Sequence, residues 1–190
     1  MTDAPSCVSV VFAPLRAPMY RVLNPSARIA LLYLVPPVSV DEARRAAGEL
    51  QALLKRNAPR KTVVCSDVRA SAAWAEDTAN VFIGMMRADN PLLERSGIFY
   101  TEGGSMGLQV MRMIREAGLE ERRFGTHDPA ALVRWFAEIL DATELEHVRR
   151  FVYARKDVGE SAEPAESMKS VQELMMKVTS GPQSRRNPKG

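Results

Sequence analysis

Cysteine is scarce in this chain, and so are histidine, long apolar runs and any excess of one charge. Only Cys7 and Cys65 occur among the 190 residues. Two cysteines without CxxC spacing build neither a disulfide framework nor a thiolate metal site. Each sits in an apolar, strand-like stretch, where it reads as a small buried hydrophobe. No apolar run approaches the ~20 residues that cross a bilayer. Met1 to Ser6 lacks the basic start and apolar stretch of a secretory signal, so the expected location is the cytoplasm. The 26 basic and 23 acidic residues leave a formal charge of only +3, with both signs mixed along the chain. Nucleic-acid-binding domains gather Lys and Arg on one face, so nucleic acid is not an expected partner.

Hydrophobic patterning, by contrast, is plentiful. Apolar residues make up 46% of the chain, enough for a sizeable core. Cys7 to Ala13 reads as a strand near an edge, because Pro14 follows it. Asn24-Pro25-Ser26 has turn chemistry. Residues 28–35 (RIALLYLV) are almost continuously apolar, as expected of a strand covered on both faces. Ser39 with Glu42 three residues on forms a capping-box pattern. Val40, Ala43, Ala47, Leu50 and Leu54 then mark one helical stripe, which Asn57-Ala58-Pro59 ends. Residues 61–67 form the next strand.

Ser71 reads as the cap of a second helix, with Trp74, Thr78, Val81, Phe82 and Met85 inward and Asn90-Pro91 as its break. Residues 97–101 form a fourth strand. A third helix is expected over 106–117, with Ser105 as its cap and Gly118 as its stop. Residues 122–125 form a short last strand, and Asp128-Pro129 opens a helix through Leu132, Trp135, Phe136 and Ile139. The order β-β-α-β-α-β-α-β-α argues for an α/β domain over residues 6–140, with a mixed, mostly parallel sheet. A further helix over 141–158 carries Leu145, Val148, Phe151 and Val152. Its basic cluster, Arg149, Arg150, Arg155 and Lys156, is answered by Glu144 and Glu146. Residues 159–190 hold an acidic linker, a short amphipathic segment and a basic tail.

The stretches NPLLERSGIFYTEGGSMGLQVMRMIREAG (90–118) and RRFGTHDPAALVRWF (122–136) resemble STAS domains of the bacterial SpoIIAA-like or SEC14-like branch. The resemblance spans roughly residues 8–140. It implies a non-enzymatic regulatory or scaffold protein in signalling that binds another protein. Small-ligand binding, of a lipid or nucleotide, is the alternative. Related anti-sigma-factor antagonists carry a phosphorylated serine in a D-S-S-G-like sequence at the start of the second helix. That sequence is missing from residues 65–71 here, although Ser66 and Ser71 fall nearby.

The candidate sites are few. Ser66, Asp67 and Ser71 lie at the carboxyl end of a strand, where open α/β sheets place binding crevices, and are candidate phosphorylation or contact residues. Gly103, Gly104 and Ser105 precede a helix N-terminus, which favours anions, but match neither GxGxxG nor the P-loop. His127 and Asp128 are adjacent, yet capping already accounts for Asp128, and His147 lies on a charged helix face. No catalytic, metal or cofactor constellation is therefore assigned. Met168, Val171, Leu174, Met175 and Val178 repeat at helical spacing in a segment too short to be stable alone. It either folds back on its own domain or docks in a partner's groove. A homo-oligomer is compatible with all of this.

Overall fold

The structure, a computed structural model, describes residues 19–154. The strand expected at 7–13 lies outside the described residues. So do Arg155, Lys156, the linker, the segment 168–178 and the tail.

The described residues form an α/β unit with a five-stranded mixed sheet in the order β1-β2-β3-β4-β5. β1 (Tyr20–Ser26) pairs antiparallel with β2 (Ile29–Leu34), and β3 (Thr62–Asp67), β4 (Leu93–Phe99) and β5 (Arg123–Thr126) follow in parallel. β1 corrects the expected turn at Asn24-Pro25-Ser26, which is the end of a strand. The register there shifts between Leu23 and Ser26. Proline cannot donate to a ladder and is tolerated in a sheet at edges and bulges. β1 supplies both.

Five helices alternate with or follow these strands among the described residues: α1 (Val40–Asn57), α2 (Glu76–Asp89), α3 (Ser105–Ala117), α4 (Pro129–Ala137) and α5 (Ala142–Tyr153). The α1 capping box is complete, with the Ser39 hydroxyl accepting from the Glu42 N–H at 3.2 Å and the Glu42 carboxylate accepting from the Ser39 N–H at 2.9 Å. Ser71, in contrast, does not cap α2, which begins five residues later after Ala75. Nor does Ser105 cap α3, since Gly104 holds that position and Ser105 is already helical. Asp128 does cap α4, accepting from Ala130 N–H at 2.8 Å.

Strand alternation divides the core into two layers. Ala30, Leu32 and Leu34 of β2, with Val64 and Ile98, face α1, α2 and α3. Ile29 and Leu31, with Val63, Cys65 and Phe99, face α4 and α5. The helix expected as an extension beyond 140 is therefore packed on the sheet, with Val148, Phe151 and Val152 in that second layer. Gly97 of β4 belongs to the same layer, because a Cβ there would meet the Phe136 ring at 2.8 Å. Arg28 bolts the layer to the amino end of the sheet. Its guanidinium donates to both Glu94 oxygens at 3.0 and 2.7 Å, to Glu144 at 2.9 Å and to the Ile139 carbonyl at 2.9 Å. Glu144 thus serves Arg28 and the start of α5, while Glu146 alone answers Arg149 and Arg150.

Candidate functional site

A sheet in sequential order sends each crossover helix to the same face when the connections share one hand, and α1, α2 and α3 do share one. Doubly wound sheets bind ligands where the strand order reverses. This sheet has no reversal, so its carboxyl end carries no switch-point crevice. Asp67, Ser71, Gly103, Gly104, Ser105, His127 and Asp128 lie at or follow the carboxyl ends of β3, β4 and β5 on the rim of that end.

Asp67 is 1% exposed at its side chain and is held by Arg69. One carboxylate oxygen accepts from the Arg69 backbone N–H at 3.0 Å and from Nε at 3.1 Å, and the other accepts from Nη2 at 2.8 Å. Arg69 also lies over the Phe99 ring at 4.2 Å and donates to the Val152 carbonyl at 3.1 Å. The pair therefore joins the end of β3 to the end of α5, and Asp67 presents no free carboxylate at the surface. Ser71 is 7% exposed, and its hydroxyl has no hydrogen-bond partner. A kinase would have to open the β3–α2 loop to reach it. Ser66 is half-buried and lines a pocket between the sheet and the helices. Burial pushes the Cys65 thiol pKa up, so it is a poor thiolate source.

The other half of the rim is the loop into α3. Thr101 donates to the Arg69 carbonyl at 2.8 Å. Gly103 then turns the chain at φ +80, a conformation that favours glycine. The sequence Gly107-Leu108-Gln109 has three distinct tasks. Gly107 lies against Tyr100, whose ring a Cβ would meet at 2.8 Å. Gln109 clasps the backbone of Trp74, accepting from its N–H at 2.8 Å and donating to its carbonyl at 2.9 Å. Leu108 points outward, 80% exposed, with Met111 one turn on and 47% exposed. These two are the exposed large hydrophobic residues among the described ones. Sequence reasoning missed them, although the signal was available. The inward stripe of α3 is Met106, Val110, Met113, Ile114 and Ala117, and helical spacing puts Leu108 and Met111 off that stripe.

His127 is exposed at the same rim, 3.5 Å from Glu102. Asp128 turns one oxygen to its cap and the other toward Arg134 at 3.7 Å, so its carboxylate is engaged structurally. Among the described residues no group of three His, Cys, Asp or Glu side chains converges as metal ligands would, and no helix is long and apolar enough to cross a membrane.

Beneath the rim, between the sheet and α1–α3, lies a cavity of about 40 Å³. Its polar lining comes from Ser66, Asp89, Ser96 and Arg123. Arg123 donates to Met86 O and Asn90 Oδ1 at 2.7 Å each, and to Ser96 and Gly118 O at 3.3 Å. Burial lowers its pKa to about 10, and burial raises that of Asp89 to about 6 despite the nearby guanidinium. At about 10–15 Å³ per water the cavity holds roughly three waters. A drug-sized ligand needs about 300 Å³ or more.

No protein-family model, no curated protein and no solved structure matches this chain.

Proposed function

We propose that this chain is a STAS-type regulatory or scaffold module, acting in the cytoplasm and without catalysis, that docks another protein on its sheet-end rim. The observation that carries the reading is the outward pair Leu108 and Met111 beside the glycine turn. Contiguous exposed apolar surface marks contact sites, and Leu108 with the exposed half of Met111 forms the apolar part of this helix surface. The mostly parallel α/β sheet is compatible with the family resemblance, which rests on the Gly-Leu-Gln sequence at α3 and the Asp-Pro-Ala start of α4. The small cavity weighs against the lipid or nucleotide alternative, and the tied carboxylates of Asp67 and Asp128 weigh against acid–base chemistry.

The test is direct. The full chain captures its partner, the purified partner is titrated, and the Leu108→Asp/Met111→Asp chain is compared with wild type. Burying each side chain is worth about 1.5–3 kcal/mol, so binding should weaken at least tenfold, roughly 1.4 kcal/mol. Equal affinity of both chains would remove this face from the function.

A further inference from the structure

The rim lies beside the point where the described chain ends. Val152, near the end of α5, is hydrogen-bonded to Arg69, and the Arg69 carbonyl is hydrogen-bonded to Thr101. Thr101 lies four residues before α3. The chain therefore leaves α5 one side chain away from the loop that leads to Leu108. The stretch 155–167, 13 residues, spans at most roughly 45 Å when fully extended. Beyond it comes the segment whose apolar residues Met168, Val171, Leu174, Met175 and Val178 repeat at steps of three and four.

We propose that this segment of the same chain covers Leu108 and Met111 when no partner is bound, a proposal that rests on their being the docking face. The receiving surface is the outer side of α3 at Leu108, Met111 and Arg115. Methionines on both sides adapt to irregular contact. Two competing occupants fit less well. A second copy needs an interface of about 1,200 Å² or more, far beyond what two side chains supply, whereas a tethered segment docks without the cost of association. The amino-terminal stretch enters at Met19, hydrogen-bonded to Val35 beside β1. β1 is the opposite edge of the sheet from β5, on which α3 packs.

A tether gives an effective concentration on the order of 1 mM. With an intrinsic Kd of about 100 µM, the covered state would outnumber the open one about ten to one. Hydrogen–deuterium exchange on the full chain reads this. Amides of 170–178 should exchange about tenfold more slowly in wild type than in the Leu108→Asp/Met111→Asp chain, and the ratio should survive dilution. The Leu174→Asp/Met175→Asp chain should bind the titrated partner about tenfold more tightly, because its face stays open. Exchange in 170–178 that ignores the Leu108 change overturns the proposal. So does protection that disappears on dilution, which would make the occupant a second copy. If exchange shows no covering while the Leu108→Asp/Met111→Asp chain still loses its partner, the inference falls and the docking face stands. Covering with an unchanged partner affinity leaves the inference standing and removes the docking face.

Discussion

Asp89 is the residue through which this fold should feel pH. It ends α2 with its carboxyl buried, and its pKa is pushed up to about 6, mainly by loss of water, while Arg123, Gln51 and Lys55 pull it down. An unfolded aspartate titrates near 3.9, so the native state binds this proton more tightly than the unfolded state does. The stabilisation from the protonated carboxyl is thus complete below about pH 4 and is lost as pH rises through about 6. Two units correspond to on the order of 3 kcal/mol. Comparison with Asp89→Asn cancels the other carboxylates. Urea unfolding at several pH values should show the stability difference between wild type and variant moving in favour of wild type as pH falls from about 7 to about 4. A difference that stays flat would mean that Asp89 keeps an ordinary pKa. None of this was legible in the sequence, where Asp89 is one acidic residue near a helix end. Its neighbours Gln51 and Arg123 reach it only through tertiary packing.

The elements were more legible than their tasks. Residues 28–35, 61–67 and 97–101 read as strands because they are β-rich and apolar. All three contribute strands of the parallel part, although β4 starts earlier, at Leu93. β1 was missed because Pro25 is a turn signal by itself, and only pairing with β2 reveals an edge. Ser71 and Ser105 were misplaced by one rule applied alone. A serine before an apolar stripe suggests a cap, but α2 starts at Glu76, where Gln109 holds the preceding loop from another element. α5 is the largest shift in role. A domain ending at Leu140 would leave Ile29, Leu31 and Val63 without Val148, Phe151 and Val152 above them. Phe151→Ala should therefore cost about 3–5 kcal/mol, the range for a buried phenylalanine. Leu145→Ala on the same helix, half-buried, should cost less. Thermal melts of the two variants decide it. A Phe151→Ala chain that melts with wild type would show that α5 only rests on the sheet.

At the scale of the whole molecule the strand order is the simplest available, and its parallel strands begin at near-equal spacing, at Ile29, Thr62, Leu93 and Arg123. That simplicity has a consequence during synthesis. Each strand emerging from the ribosome finds its neighbour already made, so the sheet and its first helical cover can assemble in the order of translation. The other face cannot close so early. Its cover, α4 and α5, comes last, and at about 5–20 residues per second it arrives roughly one to five seconds after β5. Nascent chains arrested once Thr126 has emerged should therefore hold a chaperone or an apolar dye against Ile29, Leu31 and Phe99, and chains arrested once Tyr153 has emerged should release it. Equal retention by both would mean that the second layer closes without its helices. The timetable places the most vulnerable moment of this sheet just before α5 is made.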